Sequence, residues 1–202
     1  TAPGGVSEQE SSDWLEAVRA CVADLHQQHP ALAQSVAAIA VTGHMLGCLP
    51  VDATGQPLSR HLLHGDTRSR KQAEAIDQIL GAGQLYALTG NRAGPSTLAK
   101  MLWFMEEQPA VYSQTAKFLQ SKDYVTGWLT GSFDSTDYSD ASHACLINVH
   151  TLSYFDDVYA TLGLDLGRLP QLHRGTDLVG RLCPATAAIL GLPAGLPVAA
   201  GA

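Results

Sequence analysis

The residues best placed to do chemistry in this chain lie in the turn Thr42-Gly43-His44-Met45-Leu46-Gly47 and, further on, at Asp66. The run Val36–Val41 before the turn holds small, uncharged β-formers and predicts a buried strand that hides both faces. Two glycines bracketing three side chains let the backbone turn tightly and present His44, Met45 and Leu46 at the strand's end. Ligands usually sit there in open α/β sheets. An ordinary hairpin with a glycine at each corner has the same pattern. Asp66 joins the turn by geometry. Cys48–Asp52 predicts a second strand, Asp52–Pro57 a hairpin turn, and Leu58–Leu63 a returning strand. Strand lengths matched across that hairpin leave Asp66 close to His44–Leu46.

Other candidate chemistry is weaker. Glu106 and Glu107 are adjacent, so they face different sides of a helix and cannot serve one substrate as an acid/base pair. Asp137 and Asp140 read as helix caps, because no further ligands cluster at metal-binding spacing. The eight histidines form no H-x-x-x-H pair, which excludes a zinc motif of that kind. No G-x-x-x-x-G-K phosphate loop is present. No metal ligands are therefore assigned. Lys100 and Trp103 read as packing and surface residues of a helix.

The elements that must position these residues alternate between helix and strand, as a layered α/β sheet requires. Trp14, Val18, Cys21, Val22 and Leu25 form one stripe of a helix from about Trp14 to Gln28, capped by Ser12 or Asp13. Further helices are expected from Ser69 to about Leu80, as a short turn at Leu85–Leu88, and from Pro95 or Ser96 through Met105. Others open at Ser121–Tyr124 and end at Gly131, or occupy Asp156–Leu162 and Ala185–Leu190. Lys117–Leu119 predicts a short strand, and Leu196–Ala202 a strand cut off as it enters a Gly-rich turn. The start Thr1-Ala2-Pro3-Gly4-Gly5 is equally abrupt, so the sequence reads as an excerpt of something longer.

Composition bounds the partners. A formal charge of −7 opposes a nucleic-acid surface, which needs clustered Lys and Arg. A hydrophobic fraction of 46% supports a core, yet no apolar run reaches the roughly 18–20 residues that cross a bilayer. Cys21, Cys48, Cys145 and Cys183 are scattered without a C-x-x-C pair and read as reduced structural thiols of a cytoplasmic protein.

Taken in order, six segments resemble the FGGY carbohydrate kinase family, its xylulokinase-like branch in particular. Glu8-Gln9 with Trp14 resembles the E-Q-x-x-x-x-W helix entry. Thr42–Gly47 is similar to S-G-Q-M-H-G, and Leu63–Arg68 to L-W-N-D-x-R. Lys100 and Trp103, with Thr97, Met101, Phe104, Glu106 and Glu107, fall on the K-x-x-W helix signature. Lys122-Asp123-Tyr124 with Leu129-Thr130-Gly131 resembles K-D-Y…L-T-G, and Thr136–Ser142 resembles T-D-x-S-x-A-S.

The resemblance implies an actin-like, ribonuclease H-like α/β fold: a mixed sheet with flanking helices, residues 1–202 forming most of the N-terminal, sugar-binding domain. The ATP-binding C-terminal domain is not in this chain. It implies an ATP-dependent kinase of a ketopentose, most simply D-xylulose to D-xylulose 5-phosphate, using ATP and Mg2+ in the complete enzyme. The expected catalytic aspartate lies beyond Ala202, so this fragment alone is expected to be inactive. His44, Met45, Leu46 and Asp66 are the substrate-binding positions it carries over. Leu46 stands where the pattern has histidine, and His64 where relatives often carry tryptophan. These departures keep kinases of gluconate, glycerol, erythritol or ribulose, and a non-catalytic sugar-binding module, as alternatives. The partners expected are a small sugar and ATP, a homodimer as the assembly, no nucleic acid and no membrane. Without the resemblance, Met45 is also readable as core filler, His44 as a turn residue bonded to backbone, and Asp66 as a helix cap.

Overall fold

The computed structural model describes residues 3–201. Thr1, Ala2 and Ala202, which belong to the two abrupt ends, lie outside them. In chain order the elements are β1 (Glu8–Gln9), α1 (Ser11–Gln28), α2 (Leu32–Ser35), β2 (Leu49–Val51), β3 (His61–Leu62), α3 (Arg70–Leu80), α4 (Ala82–Thr89) and α5 (Thr97–Glu107). Then come α6 (Pro109–Gln114), β4 (Lys117–Leu119), α7 (Ser121–Thr130), β5 (Ser135–Asp137), α8 (Tyr138–His143), β6 (Ile147–Asn148) and β7 (Ser153–Tyr154). The last are α9 (Asp156–Leu162), β8 (Gln171–His173), β9 (Leu178–Arg181), α10 (Pro184–Leu190) and β10 (Pro197–Ala199).

Strands pair two by two, and the single bridge between Cys48 and Leu62 ties the β1–β3 pair to the β2–β4 pair. β1 runs antiparallel to β3, β2 to β4, β6 to β7 and β9 to β10, while β5 and β8 are parallel. The expected hairpin closes by Cys48 and Leu62, which exchange two backbone hydrogen bonds of 3.0 Å. The returning strand is shorter than Leu58–Leu63, because β2 takes its longer partner from β4 rather than from the hairpin.

One strand expectation is corrected. Val36–Val41 is not a buried strand; Ile39 alone makes a parallel bridge to Val198, and the run is half-buried or exposed. A strand hides both faces only when layers cover both. Here Val36 and Ala38–Thr42 line an apolar groove of about 410 Å³, with Val18, Val22, Leu25 and Leu190 across it. The helix cap expected at Ser12 or Asp13 is also absent: α1 starts after Glu10, with no side-chain cap.

The helices follow local signals more closely. Ser96 caps α5 by accepting the Ala99 N–H, and Gly131 ends α7 in the left-handed region at φ 79°. The main core joins α3, α5, α8, β6 and α9 through Ile76, Leu98, Met101, Phe104, Ala141, Ile147 and Tyr159. A second cluster joins α7, α10 and β10 through Val125, Leu129, Leu190 and Val198. Each fully buried Leu or Phe contributes roughly 1.5–3 kcal/mol, so α5 and α7 are the rigid members against which the turn rests.

Candidate sugar-binding site

The turn after Val41 is moulded onto the starts of α5 and α7. A Cβ on Gly43 would stand 2.7 Å from the Ser121 Oγ, and one on Gly47 would overlap the His61 ring. Glycine is therefore required at both positions by close approach. Leu46 lies in the left-handed region at φ 65°, which costs a branched residue about 1 kcal/mol. Side chains hold that geometry from behind. The Leu46 N–H donates to Gln120 Oε1 at 2.9 Å, and its carbonyl accepts from Lys100 Nζ at 2.6 Å. The Gly47 carbonyl accepts from Thr97 Oγ1 at 2.9 Å, and the His44 carbonyl from Ser121 Oγ at 3.2 Å. With so much of its backbone bound behind, the turn offers its front by side chain: His44 and Met45 are exposed, and Leu46 is half-buried.

Lys100 is fully buried, so of its reading as a packing or surface residue the surface part is corrected. Its ammonium also donates to the Pro95 carbonyl. Burial pushes its pKa down to about 8, outweighing the opposing contributions of Cys48 and Asp66. Burial also raises the Cys48 thiol to about 12. His61, buried edge-on to Trp14 at 4.8 Å, is pushed down to about 3 by burial and then by Lys100 and His44, and stays neutral.

Asp66 reaches the same region, as the hairpin geometry predicts, but it points inward. Its side chain is fully buried. Oδ2 accepts from the Ser7 N–H at 2.9 Å and from the Arg68 guanidinium at 2.8 Å, and Oδ1 accepts from the Arg68 N–H at 3.1 Å. Burial alone would raise this carboxyl, but the bonds from Arg68 and Ser7 hold it below its ordinary value. Arg68 also pairs with Glu8 and lies 4.9 Å over the Trp103 ring. Lys100 and Trp103, three residues apart on α5, thus grip the turn and the Asp66 loop respectively. The two segments meet at an open rim where the exposed His44 and His64 rings stand 6.3 Å apart.

Behind the turn lies a cluster that the sequence reading split into separate caps. Lys122, fully buried, reaches Asp123 and Asp137 at 2.8 Å, Asp140 at 3.6 Å and the Ala200 carbonyl at 3.4 Å. Asp137 does cap α8, through the Asp140 N–H. Asp140 is instead a member of the charge cluster. Burial, then the neighbouring carboxylates, raise it to about 7, even with Lys122 beside it. Burial also raises Asp123, whereas the carboxylates keep Lys122 protonated well above its ordinary range. Among the described residues no group of three or more His, Cys, Asp or Glu is arranged to hold a metal ion.

Sequence reasoning places Thr97, Lys100 and Lys122 on family signatures without a role in the site, and it does not name Gln120. A signal existed for Lys100: a lone cation inside the apolar run Leu98–Leu102 of a helix buried nearly all round.

Comparison with known proteins bears on the family and the fold. The N-terminal domain of the FGGY family of carbohydrate kinases matches residues 1–202. Xylulose kinase of Bacillus subtilis is 33% identical over 189 residues, 93% of this chain and 38% of that protein. The crystal structure of xylulose kinase from Rhodospirillum rubrum superposes with a TM-score of 0.92 at 25% identity, over 100% of this chain and 41% of that one. Gluconate kinase from Lactobacillus acidophilus, at 22% identity and a TM-score of 0.90, shares the fold over 100% of this chain and 40% of its own. The architecture is thus the actin-like, ribonuclease H-like one of these sugar kinases. The chain spans about two fifths of the length of the relatives it matches.

Proposed function

Because the chain belongs to the FGGY family of carbohydrate kinases, we propose that it is the sugar-binding part of an ATP-dependent kinase acting on a ketopentose, with D-xylulose as substrate. The observation that carries the sugar choice is the 33% identity to a xylulose kinase across 93% of the chain. Phosphoryl transfer depends chiefly on positioning and charge neutralisation. In this reading the domain supplies the positioning, and MgATP enters as co-substrate on the remainder of the complete polypeptide. His44 and Met45 touch the sugar, Leu46 closes the wall between them, and Asp66 holds the facing loop so that His64 completes the rim. The base that takes the hydroxyl proton lies outside these residues.

A second reading has its own support. The rim carries two imidazole rings with Lys100 behind, and Asp66 is neutralised by Arg68. That charge balance suits a sugar acid such as gluconate as well as a neutral ketose.

Sugar-dependent ATP consumption by the complete polypeptide, measured on D-xylulose, D-ribulose, gluconate, glycerol and erythritol, tests the proposal. D-xylulose is expected to show the highest kcat/KM. Preference for gluconate would replace the substrate and keep the kinase. Sugar binding without ATP consumption would make this a binding module.

A further inference from the structure

We propose that Lys100 is a positioning residue for sugar recognition: its ammonium fixes the left-handed backbone at Leu46 and so sets the direction in which His44 and Met45 meet the sugar. The inference rests on the reading of this turn as a sugar-binding element.

A fully buried ammonium is expensive unless it is well compensated. Lys100 has no carboxylate within ion-pair distance among the described residues; its acceptors are two backbone carbonyls, of Leu46 and Pro95. A methionine would fill the same space in α5 without a charge to desolvate. What the lysine adds is a charge-assisted hydrogen bond to one particular peptide oxygen, stronger than a neutral one would be. That oxygen belongs to the residue held at φ 65°. Gln120 holds the N–H of the same residue from the start of α7. Leu46 is thus clamped from two rigid helices, at the step between the exposed Met45 and the buried Gly47.

The helix register supports a role in the site rather than in the core alone. One turn after Lys100, Trp103 stacks beneath Arg68, which holds the Asp66 carboxylate. One face of α5 therefore orders both segments that meet at the His44–His64 rim. Loosening the Lys100 contact frees the turn and leaves the Asp66 loop in place. The expected penalty falls on sugar binding and spares the nucleotide.

The test uses the complete polypeptide and whichever sugar of the panel it binds. Lys100→Met is expected to raise the KM for sugar about tenfold, leave the KM for ATP within twofold, and lower kcat by less than the sugar KM rises. An unchanged sugar KM, or equal rises for sugar and ATP, would overturn the inference while leaving the sugar-site reading intact. If wild-type protein binds none of the sugars, that reading fails and the inference falls with it.

Should Lys100→Met not fold, wild-type protein decides by pH. The titratable groups facing Lys100 are Cys48 beside β2, His61 on β3 and Asp66 on the loop before α3. The thiol is held near 12, the imidazole near 3, and the carboxyl below its usual range. Lys100, near 8, is the member of that group that changes charge between pH 7.5 and 9.5. The sugar Kd is expected to rise several-fold across this interval with the ATP Kd steady. A sugar Kd that stays flat would overturn the proposal.

Discussion

Two lysines are buried within this domain, and they are buried differently. Lys100 faces neutral carbonyls, so desolvation wins and its pKa falls to about 8. Lys122 faces Asp123, Asp137 and Asp140, so Coulomb attraction outweighs desolvation and its pKa rises. Desolvation opposes the charge in both cases; the sign of the shift is decided by whether carboxylates lie within reach. The difference teaches what each lysine is for. Lys122 neutralises a cluster that joins α7, β5 and α8, and it also touches the Ala200 carbonyl beyond β10. Lys100 neutralises nothing in direct contact and bears on one peptide oxygen of an exposed turn.

The largest expected effect separates the two. Lys122→Met leaves three carboxylates buried without their cation and should cost about 3–5 kcal/mol, the range for breaking a buried ion pair. Thermal unfolding of this variant beside Lys100→Met checks the contrast, and equal losses would erase it. Next comes Asp66→Ala, which frees Arg68 and the Ser7 N–H. Its sugar KM should rise roughly tenfold, equivalent to about 1.4 kcal/mol, with little change for ATP. Parallel rises in both constants would reduce Asp66 to a structural tie.

A smaller effect should appear in the pH dependence of stability. The folded pKa of Asp140, near 7, lies above its ordinary value of 3.8, so the folded state favours the protonated acid. The stability it contributes is full below about pH 4 and is lost as pH rises through 7. Asp140→Asn should flatten that decline in denaturant melts between pH 4 and 7. An unaltered slope would show that one lysine suffices for three carboxylates. Least of all, Thr97→Val removes the bond to the Gly47 carbonyl and should cost about 1 kcal/mol in stability. Its sugar KM should shift less than that of Lys100→Met, and a larger shift would move the main clamp from Lys100 to Thr97.

The helices were legible because their signals are local. Apolar residues at helical spacing, the Ser96 cap and glycines such as Gly131 act within a turn or two of chain. Strand pairings were legible only where the partner was near; Lys117–Leu119 reads as a strand, but its pairing with β2 does not. The closure of Cys48 on Leu62 follows from the hairpin between them, which is why the approach of Asp66 to the turn could be inferred. β2 finds β4 far along the chain, and β5 pairs with β8 across two intervening strands, so neither register was readable. Val36–Val41 has the composition of a buried strand, but composition cannot say whether another layer covers it. The candidate site divides in the same way. His44, Met45 and Leu46 stand at the turn, as their bracketing glycines suggest. The inward aim of Asp66 depends on Arg68, Ser7, Glu8 and Trp103 converging on it.

By itself the sequence determined the α/β alternation, the turn between Gly43 and Gly47 and the family, since each rests on residue types at short fixed spacings. Tertiary structure alone decided which charges are buried and what they face. Lys100 reaches Leu46 across 54 residues, and Lys122 reaches Ala200 across 78. A charge's energy depends on the solvent it has lost and the partners it has gained, and both are settled only when distant segments pack.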